Sequence, residues 1–469
     1  MRELYIKNTK ISDLFKSIIY SLFLSLFMVL FKSDDTSLVF IFTMFVWTSV
    51  FIFYLHDIKN NIATLCFLLS FFILLLGREF SFSFFGLKKY YIYSNSINNK
   101  TYNILTISII FVLIGSEFCN NIKFNKNRLN LSYGKNLNLV IKIIFYISLI
   151  VSLYVYINKV IFIKNVGYVA SYSKSNSLNI GYLNYLSEYL NFALCLYLST
   201  FPNKKKIIYI YALYEIVLIA SLFTGGRTNF VIGNFVMIIY FVIRHKISGD
   251  WIKKRYIYFA FILFPLVMII FFYYDYLRSD REIDYSKNPI VGFLDQQGGS
   301  VNNIKRVIDN ENDLRDMSLV SFNKTKNAIF GNLLFRNIFE YKIYEGNSID
   351  TALNGNSLAH RLSYLTYGNG YLSGKGTGSS FLAELYFDFN YLGVMIGSFI
   401  YGFLLKKISS IEEKGLLTAV LIFIAYDLVY APRDSFDSFI YSILSLYNIF
   451  GLFMTIILSN IKFVTKRRI

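Results

Sequence analysis

Residues 207–246 read IIYIYALYEIVLIASLF-TGGRT-NFVIGNFVMIIYFVIRHK, and that stretch decides the fold. Two apolar runs, 206–223 and 228–244, flank a five-residue polar turn, and basic residues close the second. A helix needs about 20 mostly apolar residues to cross the hydrocarbon core, and its backbone must satisfy its own hydrogen bonds there. The pattern predicts an antiparallel pair of membrane helices joined by a tight turn. The same test applied outward yields twelve spans in all. The others run near 15–32, 36–56, 62–77, 102–118, 139–158, 182–201, 256–276, 380–405, 415–431 and 438–460.

Composition agrees. Of 469 residues, 55% are apolar, 19% aromatic and only 16% charged. Soluble domains carry roughly 25% charge, so a soluble enzyme and a disordered chain are excluded. Three cysteines (Cys66, Cys119 and Cys195) and three histidines make neither a disulfide framework nor a Cys/His metal site. No metal and no cofactor are expected. The first run lacks a small-residue cleavage site and reads as a signal anchor.

Orientation follows from the basic residues. With the N-terminus inside, cytoplasmic segments hold 24 Lys and Arg against 10 in the short outer loops. Both termini are therefore expected to be cytoplasmic. Most of the +18 net charge then faces anionic lipid, and no nucleic-acid partner is implied. The loop from Arg78 to Lys100, with four basic residues, runs against this trend. The predicted organisation is all-α: spans one to nine over 1–276, one large non-cytoplasmic and partly helical loop over 277–379, and spans ten to twelve with a basic tail over 380–469.

Three polar turns precede even-numbered spans on the outer side. They are Thr224-Gly225-Gly226-Arg227-Thr228, Gly376-Thr377-Gly378-Ser379-Ser380 and Ala431-Pro432-Arg433-Asp434-Ser435. Helix starts present unpaired N–H groups and a positive dipole end, and Gly225 and Gly226 would let backbone approach a ligand. Such starts suit anions, and Arg227 and Arg433 add guanidinium forks matched to phosphate oxygens. Arg278 and Arg281 follow span nine at the same depth. Border arginines also snorkel toward headgroups, so for each arginine taken singly a bland reading stays open.

Span ten adds Glu384 and Asp388, four residues apart on one helix face. They could hold an arginine or a sugar hydroxyl, or form a structural pair. Gly393 and Gly397, spaced as GxxxG, read as a helix-packing device. In the large loop His360, beside Arg361, is a candidate general base, against the bland reading of a solvated loop histidine. Gln296-Gln297-Gly298-Gly299 is a polar turn that could touch sugar.

The stretch Gly378-Ser-Ser-Phe-Leu-Ala-Glu384-Leu-Tyr-Phe-Asp388-Phe-Asn-Tyr391-Leu-Gly393-Val resembles the late-span signature of Wzy-type oligosaccharide repeat-unit polymerases. The turn at Thr224 to Thr228, Arg278 after span nine and the single large outer loop are similar to that family too. Asn390 departs from it, since the family shows glycine after the aromatic near Asp388.

The resemblance implies a fold of the GT-C-like polymerase and ligase class, and a glycosyltransferase of the bacterial cytoplasmic membrane working at its outer face. Donor and acceptor would be undecaprenyl-diphosphate-linked oligosaccharides, in a membrane-lipid setting, with a chain-length regulator and a flippase as further partners. The growing glycan would pass to the next lipid-linked unit with release of polyprenyl diphosphate, without nucleotide or cofactor. On that basis Arg227 and Arg278 meet the diphosphate, with Arg433 as a third candidate. Glu384 orients the acceptor or an arginine, and His360 takes the acceptor proton. Gly225, Gly226, Arg281, Arg361 and Asp388 complete the substrate-binding set. An O-antigen ligase and a lipid-linked oligosaccharide flippase remain alternatives. A flippase would need charge at the helix centres, where Lys142 is the main example.

Overall fold

A computed structural model describes residues 33–87, 92–121, 135–173, 180–249, 251–278, 282, 288–331 and 333–460. The expected span 15–32, Lys88 and Lys89, Arg281 and the basic tail lie outside the described residues. Among those described the chain is helical throughout, with no strand. It is an all-α polytopic membrane protein.

The helices, in chain order, are α1 (Thr36–Leu55), α2 (Ile58–Phe85), α3 (Asn95–Asn121), α4 (Lys135–Val166), α5 (Leu183–Glu188), α6 (Leu190–Leu198), α7 (Lys204–Leu222) and α8 (Thr228–Ser248). There follow α9 (Lys254–Arg278), α10 (Pro289–Gln297), α11 (Val301–Asp309), α12 (Leu358–Tyr367), α13 (Phe381–Ser409), α14 (Leu416–Tyr430), α15 (Ser438–Leu444) and α16 (Leu446–Asn460). Local chemistry sets several starts. Asp35 caps α1 by accepting from Ser37 N and Leu38 N. Asn288 does the same for α10, whose first residue is Pro289.

Seven helices among the described residues are long and apolar enough to cross a membrane, or eight if α15 and α16, bent by 43°, form one span. The sequence count of twelve differs for physical reasons. The expected span 182–201 is broken into α5 and α6 at Tyr189. Helix α7 carries three lysines and Glu215, too much charge for a clean apolar window. Helix α9 contains Pro265; its described stretch Ile262–Leu277 is mostly apolar, and the side chains of 254–261 lie outside the described residues. Conversely, the 16-residue run 62–77 becomes the 28-residue α2, continued through a π-helical turn at Phe72–Leu76.

Helices α3 and α13 make the closest crossing. A Cβ on Gly115 would fall 2.0 Å from Phe399 O, and one on Gly402 2.0 Å from Val112 O, so only glycine admits this approach at either position. Nearby, Ser398 Oγ donates to Ser108 Oγ at 2.9 Å, and Thr43 and Thr106 share a 2.9 Å bond between α1 and α3. Gly397, expected to pack helices, instead makes room for the Leu385 side chain of its own helix.

The large loop shares the core of the spans. Val301, Ile304, Val307, Leu314, Val320, Leu358 and Leu362 are buried in the same apolar cluster as residues of α1, α2, α3 and α13. Two ion pairs, one buried and one half-buried, tie the loop down: Lys305 Nζ meets Glu79 Oε1 at 2.5 Å, and Arg78 Nε meets Asp295 Oδ1 at 3.0 Å. The two halves of the chain meet around α2, and two cavities with polar groups border it.

Candidate active site

Helix α8 begins where the chain turns through Gly225, whose φ of +84° suits glycine. A Cβ at Gly225 would lie 2.2 Å from the Tyr168 ring. This glycine therefore serves backbone packing against Tyr168 and does not open the turn to a ligand. Gly226 has open space around it. The turn delivers Arg227 to the N-cap position of α8, beside α9. There its Nη1 donates to Phe271 O at 2.8 Å, and its Nη2 pairs with Asp275 Oδ1 at 2.9 Å.

Across from Arg227 stands the end of α14. Thr228 Oγ1 donates to the Tyr430 hydroxyl at 3.3 Å, which brings the start of α8 against it. A 3-10 turn, Ala431–Arg433, then swings Arg433 inward, where Nη1 donates to Gln297 Oε1 at 3.4 Å. Ser70, Arg227, Thr228, Gln297, Tyr430 and Arg433 supply the polar lining of a cavity of about 80 Å³. Its remaining walls are apolar, from α2, α8, α9 and α10.

The two arginines differ in electrostatic state. Asp275 balances Arg227. Arg433 has no carboxylate partner among the described residues, because its neighbour Asp434 is taken by Lys324 Nζ at 2.5 Å. Of its five N–H donors, one is spent on Gln297. The cavity thus combines one uncompensated guanidinium with the positive end of α8, an arrangement suited to an anion.

The other expected residues do not join this cavity. Glu384 is buried in the first turn of α13, where it accepts from Ser379 Oγ at 2.6 Å and from Phe436 N at 2.9 Å. It holds two turns together and meets no arginine among the described residues. Asp388 accepts from Val320 N at 3.0 Å and Ser321 N at 2.8 Å, capping a 3-10 turn of the large loop. His360 lies on α12, with Nδ1 2.8 Å from the Tyr371 hydroxyl, and burial holds its pKa below the ordinary 6.5. Arg361, on the same helix, is buried and paired with Asp316. Arg278 ends α9, and its side chain lies outside the described residues, as does Arg281. The remaining polar turn, near Thr377, is held by Asn303 and Ser363 away from the cavity.

A family model described as O-antigen polysaccharide polymerase Wzy matches residues 14–468. The chain belongs to that family. No curated protein and no solved structure matches it. Membership in the Wzy family implies repeat-unit polymerase activity of the glycosyltransferase type, on lipid-linked oligosaccharides.

Three features of this Wzy-family chain were not singled out from sequence as part of a site. Asp275 reads there as one polar residue in an apolar run, and Tyr430 as one of 39 tyrosines. Arg78 registered only as a topological anomaly, yet it anchors the Gln296-Gln297-Gly298-Gly299 turn, where a Cβ on Gly298 would lie 2.2 Å from Arg78 N. That turn was legible as polar, and it supplies Gln297 to the cavity. Asn390 has φ +55° inside α13. Its Oδ1 accepts from Tyr391 N at 2.8 Å, a local bond that glycine could not make.

Proposed function

We propose that the chain joins polyprenyl-diphosphate-linked oligosaccharide repeat units at the outer face of the bacterial cytoplasmic membrane. An acceptor hydroxyl oxygen forms a bond to the anomeric carbon of the donor glycan. The bond from that carbon to the phosphate oxygen breaks, and polyprenyl diphosphate leaves with the electron pair. The hydroxyl proton is released, so one glycosidic bond replaces one glycosyl phosphate bond. In this reading both termini are cytoplasmic, and residues 277–379 face outward. A flippase upstream and a chain-length regulator are its partners.

The observation that carries the reading is the pairing of Arg227 and Arg433 in one cavity at the start of α8. Negative charge grows on the diphosphate as the bond to carbon breaks. A preorganised cation and helix N–H groups stabilise that charge most at the transition state, where stabilisation raises the rate. Arg433 is assigned the direct contact. Arg227, held by Asp275, fixes the α8 start beside it. Lys142, the residue a flippase reading leaned on, is exposed on α4 and lines none of these cavities. His360, Glu384 and Asp388 are assigned to holding the outer loop against the spans.

The test is polymerisation of a lipid-linked repeat unit by the purified protein in liposomes, followed on a sizing gel. Arg433→Ala should leave single units unjoined, with turnover reduced about 10²–10³-fold. A wild-type ladder from that variant would overturn the assignment.

A further inference from the structure

A second cavity, about 190 Å³, lies farther along α2. Leu74 borders the arginine cavity, while Arg78, Glu79 and Ser83 border this one. Four residues advance a helix about 6 Å, so the two cavities are neighbours. Their chemistry differs. Each charged side chain in the second wall has an opposite partner: Glu79 with Lys305 at 2.5 Å, and Arg78 with Asp295 at 3.0 Å. The Tyr102 hydroxyl also donates to Glu79 Oε2 at 2.7 Å. Among the described residues no cation is left over for a phosphate, and the polar wall does not suit an alkyl chain.

What the wall does leave over is amide. Asn98 is 7% exposed, and its Oδ1 has no hydrogen-bond partner. Asn302 is 5% exposed, and its side chain makes no hydrogen bond among the described residues. Asn98 Nδ2 donates to Tyr93 O at 3.1 Å, so the cavity keeps one idle amide oxygen and one idle amide, which a ligand with hydroxyl or acylamino groups would satisfy. Tyr93 and Phe82 add aromatic faces. The volume is several times the ~30 Å³ share of one water, so a ring-sized molecule fits better than a single solvent molecule.

We propose that this cavity seats one uncharged sugar ring of the substrate glycan. Asn98 and Asn302 bond its hydroxyl or acylamino groups, and an aromatic side chain covers its C–H face. The proposal rests on the polymerase reading and deepens it: the diphosphate goes to the cavity with a spare cation, and a neutral sugar goes to the cavity whose charges cancel.

The experiment titrates the purified full-length protein in detergent with the cell's own repeat-unit oligosaccharide, released from its lipid by mild acid and so free of phosphate. Wild type should bind it saturably, by calorimetry or saturation-transfer NMR. Asn302→Ala, which removes the amide without adding bulk, and Ser83→Phe, which fills the space, should each weaken binding at least tenfold at unchanged melting temperature. Arg433→Ala should bind the free glycan as wild type does. No saturable binding by wild type, or equal binding by a folded Asn302→Ala, overturns the proposal. Failure of the diphosphate reading looks different: normal polymer from Arg433→Ala, whatever the glycan titration gives.

Discussion

Arg227 and Asp275 face each other at 2.9 Å between the start of α8 and the last turns of α9, with side chains only 11% and 8% exposed. The pair fixes the arginine and cancels its charge, which leaves Arg433 as the uncompensated cation of the cavity. Removing one partner of a buried pair leaves the charge of the other unbalanced within it. Asp275→Ala should therefore destabilise the protein by about 3–5 kcal/mol, read from thermal unfolding in detergent. The double variant Asp275→Ala/Arg227→Ala should recover part of that loss. Strict additivity of the two single effects would show that they do not interact.

The character of Arg433, beyond its charge, is open to test. Lysine keeps the charge but loses the planar fork that engages two phosphate oxygens. Arg433→Lys should therefore polymerise more slowly than wild type and faster than Arg433→Ala. Equal activity of the lysine and alanine variants would exclude an electrostatic part for this side chain.

Asn390 sits at φ +55° and ψ −146° within α13, a conformation costing about 1–3 kcal/mol for a residue with a Cβ. Asn390→Gly should relieve that strain, less the lost bond to Tyr391 N, for a net gain of about 1 kcal/mol. Asn390→Val should lower the melting temperature, since a β-branched side chain cannot adopt this backbone at low cost. A valine variant as stable as wild type would contradict the geometry.

At the crossing of α3 and α13, Gly402→Leu would press a side chain onto Val112 backbone, where a Cβ alone lies 2.0 Å from the carbonyl oxygen. Backbone cannot step aside as a side chain can. The variant should lose well over 1–3 kcal/mol, the usual cost of overpacking, and give little monodisperse protein on size exclusion.

His360 gives the large loop a pH dependence of known sign. Burial lowers its folded pKa below 6.5, so the unfolded state binds the proton more readily. The stability it contributes is full above pH 6.5 and is lost as pH falls through the lower folded value. Melting curves at pH 7.5 and 5.5 should show this loss, and His360→Gln should reduce the difference. An unchanged pH response in the variant would remove His360 as its source.

How far the sequence could be read depends on how far apart the interacting residues lie. Helix α1 begins within a residue of its expected start, because one apolar run and one capping Asp35 decide it locally. The end of α2 was not legible: Arg78 and Glu79 look like a loop until Asp295 and Lys305, 217 and 226 residues later, neutralise them. The same distance hid the burial of the large loop. Arg227 and Arg433 could be brought together on paper, since both border helix starts or turns on the expected outer side. Asp275 could not, because nothing in an apolar run announces which polar residue turns inward. Glu384 and Asp388 were legible as residues needing partners. Those partners are backbone N–H groups and one serine hydroxyl, which no spacing rule foretells.

Because Ile304, Leu314 and Leu362 are interior residues of the span bundle, residues 277–379 do not make a stand-alone antigen. Produced as a water-soluble fragment, the segment would turn those side chains to solvent and leave Lys305 and Asp295 without Glu79 and Arg78. Antisera raised on it would then recognise surfaces that intact cells never display. Reagents against this face of the protein are better selected on the whole chain in nanodiscs.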